Sequence, residues 1–168
     1  MARALILGCG CRGRELGGLL LAAGWAVRGT SRSDEGLAAI EAAGIEAAAA
    51  DPDRVGTVLE LVGDVAVVFH LLGSAAGEPE TRAEIHGPRL ERLLERLVDT
   101  PVRGFVYEAS GSVDGAVLAA GAELVRTASR TWRIPAEIVD SEPAVAGEWS
   151  QRMMDSALGL LPQAREVK

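Results

Sequence analysis

The sequence predicts an α/β protein, a three-layer doubly wound parallel sheet with strand order 3-2-1-4-5-6. Three observations lead there. Short apolar runs alternate with stretches of helical period all along the chain. The strands are apolar on both faces, as strands covered by helices on two sides must be. The composition is 48% hydrophobic but only 4% aromatic, which suits an aliphatic, alanine-rich core of helices packed on a sheet.

The elements follow in order. Ala4–Leu7 is an apolar run that ends at Gly8 and reads as a buried strand. Gly13 to Ala23 places Leu16, Leu19, Leu20 and Ala23 at helical spacing and stops at Gly24. Trp25–Arg28 is a second strand. Ser33 caps a helix that runs through Ala43, with Gly44 just beyond its end. Ile45–Ala49 is a third strand, and Asp51 with Pro52 opens a helix toward Val62.

Val65–Leu71 is the most apolar strand, followed by a polar loop over Gly73–Glu80. Leu90, Leu93, Leu94 and Leu97 form a stripe on the next helix, which Pro88 keeps from extending backwards. Gly104–Tyr107, Gly115–Arg133 and Ala136–Val139 read as strand, long helix and strand. A last amphipathic helix over residues 144–161 carries Trp149, Met153, Ala157 and Leu161, and packs on the sheet or on a dimer mate. At 168 residues, without repeat or linker, the chain reads as a single domain over 1–168.

Charge and rare residues exclude several functions. The net charge of −7 argues against nonspecific nucleic-acid binding and anionic membranes. No secretory signal and no apolar run of membrane-spanning length is visible, so a cytoplasmic protein is expected. Sixteen of the seventeen basic residues are arginine, and the one lysine is Lys168. This removes Schiff-base chemistry, a P-loop lysine and any Tyr-x-x-x-Lys proton relay. Residues 1–33 hold five arginines against Glu15, a net +4, leaving −11 for the other 135 residues. A basic N-terminal third in an acidic protein suggests a local site for a small anion. Two histidines and two cysteines make no zinc pattern, and no metal site is expected.

Gly8-Cys9-Gly10-Cys11-Arg12-Gly13 is G-x-G-x-x-G between a strand and a helix. Gly8 permits the tight turn, Gly10 lets backbone approach a pyrophosphate, and Gly13 lets helix and strand pack closely. The helix N-terminus offers N–H groups to the phosphates. In this context the loop predicts dinucleotide binding. The second strand ends in Arg28-Gly29-Thr30-Ser31-Arg32-Ser33, without the acid that would hold ribose hydroxyls. Hydroxyls and a guanidinium suit a 2′-phosphate, so NADP(H) is favoured over NAD(H), with Arg32 leading and Thr30, Ser31 and Arg12 assisting. Cys9 and Cys11 are read either as small side chains in a tight loop or as oxidant-sensitive thiols at a helix N-terminus.

Several ordered segments resemble the extended and atypical short-chain dehydrogenase/reductases, the group that includes nucleotide-sugar epimerases. Asp64-Val65-Ala66-Val67-Val68-Phe69-His70-Leu71-Leu72 is similar to that family's fourth strand, and Phe105-Val106-Tyr107-Glu108-Ala109-Ser110-Gly111-Ser112-Val113 to its fifth strand and serine-rich turn. The likeness covers about residues 3–140. It implies that Asp51 lies beside the adenine, that Leu72 and Gly73 approach the cofactor, and that Ser110 holds the catalytic serine position. His70 is read as a packed, hydrogen-bonded residue, and His86 as a helix-start histidine or one facing the nicotinamide. The family's Tyr-x-x-x-Lys pair aligns with Gly115 and Ala119, so its acid–base chemistry is missing. Only 28 residues follow Asp140, where extended members carry a substrate region.

The resulting expectation is an NADP(H)-binding module that responds to its cofactor. An NADP-dependent reductase or epimerase-like enzyme using Ser110 on a small-molecule substrate remains open, as does an interaction protein with an empty loop. The helices after strands four and five imply a possible homodimer by resemblance.

Overall fold

The computed structural model describes residues 2–140 and 147–161. Lys168 and the first residues of the expected last helix, 144–146, lie outside the described residues. Six strands form one parallel sheet: β1 (Arg3–Leu7), β2 (Ala26–Ser31), β3 (Glu46–Ala49), β4 (Val67–His70), β5 (Gly104–Glu108) and β6 (Ala136–Val139). Their order is β3-β2-β1-β4-β5-β6, the doubly wound arrangement that the alternating pattern predicts. The order reverses between β1 and β4, where Leu5 stands beside Val68 and Leu7 beside His70.

Strand alternation divides the interior into two layers. Leu5, Leu7, Val68, Phe105 and Tyr107 face α3 (Val55–Leu59), α4 (Pro79–His86), α5 (Pro88–Leu97) and α6 (Gly115–Trp132). Ala4, Ile6, Val67, Phe69 and Val106 face α1 (Cys11–Ala22), α2 (Asp34–Ala42) and α7 (Glu148–Leu160). The leucine stripe of α5 and the apolar face of α7 are both spent on this chain's own core. Leu90, Leu93, Leu94 and Leu97 are buried, as are Trp149, Met153 and Ala157. Among the described residues, no helix is long and apolar enough to cross a membrane.

The structure corrects four local expectations. The second strand runs on to Ser31, because Gly29 is a place of close packing rather than a break: a Cβ there would stand 2.7 Å from the Cys9 sulfur. The stretch after Pro79 is a helix, α4, whose few buried residues, Ile85 and His86, give no readable stripe. His86 therefore ends α4 instead of starting a helix. The helix after Asp51 is only Val55–Leu59, because the Asp51 carboxylate accepts the Asp53 N–H (3.0 Å) and holds a turn first.

Close packing at one helical glycine is testable. A side chain at Gly121 on α6 would collide with the Tyr107 hydroxyl, whereas the Cβ position at Gly18 on α1 is open. Gly121→Val is expected to lower unfolding free energy by about 2 kcal/mol or more. Gly18→Ala should raise it by up to about 1 kcal/mol, both read from urea denaturation.

Candidate functional site: a cleft over the strand-order reversal

A cleft of about 520 Å³ opens at the C-terminal edge of the sheet, over the β1/β4 reversal. Its floor is the glycine loop. Gly8 has φ +77°, and any side chain on it would strike the Leu71 carbonyl. Gly13 is tight against the Gly8 carbonyl, at 3.2 Å from an added Cβ, so the start of α1 is held close over β1. Gly10 differs. Its φ is −81°, and nothing among the described residues lies within 4 Å of an added Cβ. Neither packing nor backbone conformation requires glycine there, while a ligand approaching the backbone would. Gly10 also caps α1 without a side chain, and no acid stands in the first turn, which leaves an N-terminus suited to an anion.

The expected residues divide by position. Gly8, Gly10, Cys11, Arg12 and Gly13 line the cleft, and so do Thr30, Ser31, Arg32 and Leu72. Thr30 is buried, its hydroxyl donating weakly to the Ile6 carbonyl (3.4 Å). Ser31 accepts from the Ser33 N–H (3.2 Å), which fixes the turn into α2. Arg32 is exposed and reaches over the cleft to the Ala76 carbonyl at 3.5 Å. Asp51 lies in an adjoining hollow of about 280 Å³ that also includes Arg32 and Arg54. Gly73 and Ser110 are not among the lining residues. Ser110 is buried just behind the cleft, and its hydroxyl has no hydrogen-bond partner among the described residues.

The basic N-terminal third also divides. Arg3 and Arg28 pair with Glu46 and Asp64, all at 2.8–3.1 Å, away from the cleft. Arg12, Arg14 and Arg32 line the cleft itself. Cys9 is buried, and burial pushes its thiol up to about 11, with Arg14 pulling weakly the other way. This corrects the reading of Cys9 as an activated thiol: the apolar surroundings outweigh the nearby helix terminus.

Among the lining residues that escaped the sequence reading, Glu108 and Trp149 come from the distant elements β5 and α7. Glu108 ends β5, 4% exposed, and its Oε1 accepts the Gly73 N–H at 3.0 Å. Burial raises its carboxyl above the usual range, while the Gly73 hydrogen bond and Arg12 oppose the shift. Strand alternation was the available signal, since period two places residue 108 with Val106 on the α1 side. Trp149 on α7 sits beneath the Arg12 guanidinium, 5.8 Å from its ring centre. Its Nε1–H has no acceptor among the described residues. Nothing in the sequence distinguishes this tryptophan from an ordinary core residue.

On the other sheet face, Tyr107 and the two histidines brace the cleft wall. His86 Nε2 lies 2.8 Å from the Leu72 carbonyl and must donate to it, so Nδ1 accepts from the Tyr107 hydroxyl at 2.6 Å. The imidazole is thus a neutral strut that fixes Leu72, not a group facing the cleft. His70 is packed against Phe105, Tyr107 and His86 as expected, and its Nδ1 has no partner among the described residues. The turns after β4 and β5 are stitched together. Val113 N–H donates to the Gly73 carbonyl (2.9 Å) and Ser112 N–H to Ser74 Oγ (3.1 Å).

Fold and cleft together define the class of protein: a doubly wound Rossmann sheet with a glycine loop open at its strand-order reversal. The chain is similar in fold to UDP-glucuronic acid 4-epimerase from Bacillus cereus, solved with NAD, at TM-score 0.65 and 17% identity over 81% of this chain and 54% of that one. It is likewise similar to UDP-glucose 4-epimerase from Thermotoga maritima, solved with UDP-glucose (TM-score 0.65, 15% identity, 81% and 54%). The UDP-Glc/GlcNAc 4-epimerase from Campylobacter jejuni gives TM-score 0.66 and 14% identity over 82% and 52%. The chain spans about half the length of these enzymes. No protein-family model and no curated protein matches the sequence.

Acid should weaken this scaffold. Burial lowers the pKa of both His70 and His86 below the ordinary 6.5. The unfolded chain therefore takes up protons first as pH falls, and their contribution to stability is present above 6.5 and lost below it. Glu108, shifted upward, acts in the opposite sense: its contribution is present below its ordinary value of 4.5 and lost as pH rises through its folded pKa. Unfolding free energy is expected to fall as pH drops below 6.5. His86→Gln, which keeps a donor for Leu72 and an acceptor for Tyr107, should reduce that slope in urea titrations at several pH values.

Proposed function

We propose that the protein is an NADP(H)-binding module of the epimerase/dehydratase-like Rossmann type that responds to its cofactor without the usual catalysis. The observation that carries this reading is Gly10. The position is unconstrained by the described residues yet occupied by glycine, in a cleft that Arg12, Arg14 and Arg32 also line. A pyrophosphate over the α1 N-terminus uses that space. The adenosine half then extends toward β2, where Thr30, Ser31 and Arg32 present hydroxyls and a cation with no acid to repel a 2′-phosphate. The similar B. cereus fold, solved with NAD, supports a dinucleotide.

The regulatory part of the reading rests on what α6 lacks. Gly115 begins the helix and Ala119 follows one turn later, at the positions where the resembled family carries its tyrosine and lysine. Both phenol and ammonium are gone, so the chain binds a redox cofactor without the residues that would move a proton to a carbonyl.

Two measurements test it. Calorimetric titration should show NADPH binding at least about tenfold more tightly than NADH, with Arg32→Ala erasing most of the difference. An NADH preference, or no binding of either, defeats the assignment. Gly10→Val should leave the urea midpoint nearly unchanged and weaken NADPH by more than about tenfold. A stability loss in that variant without a binding loss would make Gly10 a structural glycine.

A further inference from the structure

The NADP(H) reading, on which the following rests, places the adenosine end of the ligand at β2 and Arg32. The strand order then carries the other end across β1 and β4 toward β5. Glu108, the last residue of β5, lines the cleft on that side, and Trp149 lines it beneath Arg12. Of all carboxyl and imidazole groups among the described residues, Glu108 alone lines the cleft. Its surroundings are sparse in charge. Arg12 on α1 is the one charged group acting on it. The turn after β4 supplies the Gly73 N–H to one oxygen, and α7 supplies the indole of Trp149. Its neighbour Tyr107 points to the opposite face and is engaged with His86.

We propose that Glu108 makes the cleft sense the oxidation state of the dinucleotide, its buried carboxylate favouring the cationic nicotinamide ring of NADP⁺ over the neutral ring of NADPH. The two forms differ at the ring by one positive charge. A carboxylate buried to 4% exposure meets that charge with little solvent between them, where Coulomb interactions are strong. Arg12 does not cancel the effect, because its charge is the same with either ligand and its guanidinium lies over the Trp149 ring. The same geometry couples the preference to pH. Burial raises the Glu108 carboxyl above its ordinary value, which widens the acid range in which it carries a proton. Within that range NADP⁺ favours the carboxylate and releases the proton to solvent, whereas NADPH leaves the protonation state of Glu108 as it was. The preference for NADP⁺ thus grows as pH rises and Glu108 ionises. The 2′-phosphate is common to both forms and cancels in the comparison.

The test is calorimetric titration of the full chain with NADP⁺ and with NADPH, in pairs of buffers differing in ionisation enthalpy and at several pH values. Wild type is expected to bind NADP⁺ about tenfold or more tightly than NADPH, with an additional proton released only on NADP⁺ binding and a preference that weakens toward acid pH. Glu108→Gln preserves an oxygen acceptor for the Gly73 N–H. It should bind the two forms within about twofold of each other and lose the additional proton release. Equal wild-type affinities, or a preference that survives in Glu108→Gln, overturn the Glu108 inference while leaving the cofactor assignment intact. Absence of binding by either form overturns both. The pH dependence in wild type decides the matter even if the variant fails to fold: a preference that does not change with pH overturns the inference.

Discussion

Backbone must pass directly against backbone at the C-terminal edge of this sheet, and the site depends on that. At Gly8 the turn after β1 lies against the Leu71 carbonyl, and at Gly73 the turn after β4 lies against the Ser110 carbonyl. Gly111, with φ +140°, returns the contact to the Gly73 carbonyl. Side chains at these positions would force the three turns apart. Because none is present, the turns form one continuous rim, cross-linked by Val113 N–H to Gly73 and by Gly73 N–H to Glu108. The cleft is the space this rim leaves beside α1.

The rim also explains why adjacent residues on β5 serve unlike purposes. Phe105 and Tyr107 face one layer, Val106 and Glu108 the other. The phenol of Tyr107 is committed to His86, and His86 in turn to the Leu72 carbonyl, so the polar groups on that face hold the wall in place. On the cleft face Glu108 uses one oxygen and Trp149 Nε1 has no partner among the described residues; Ser110 Oγ, which does not line the cleft, and His70 Nδ1, on the other face, also have none. Leaving buried polar groups unsatisfied costs roughly 1–3 kcal/mol each.

The fold was legible because its signals are periodic. Strand β4 and the stripe Leu90–Leu97 carry enough apolar residues to announce their period, and glycine at the loop has a defined place in the resulting unit. What escaped lacked a period. Helix α4 buries little beyond Ile85 and His86, and β2 contains a glycine whose reason is the Cys9 sulfur, distant in the strand pattern. The site was half legible for the same reason. Gly8, Gly10, Gly13 and Arg32 declare themselves by spacing after a strand. Glu108 and Trp149 reach the cleft only through tertiary packing of β5 and α7, which no local window contains.

The chemistry of the cleft follows from which of its groups can change charge. Its arginines are permanently cationic, and burial holds the Cys9 thiol protonated at neutral pH. The imidazoles face the other layer and are kept neutral. The fixed cations would allow a protein whose net charge is −7 to hold the proposed anionic ligand, since screening confines the acidic surface's repulsion to short range while the three arginines act within the cleft. They do not discriminate between ligands of equal phosphate charge. In the proposed reading, discrimination at the far end falls to the one carboxyl there, held on the rim by the Gly73 N–H. In that reading Gly115 and Ala119, at the positions where the resembled family carries its tyrosine and lysine, leave that carboxyl without a competing proton relay. In the proposed reading such a cleft registers what its ligand is without changing a second molecule.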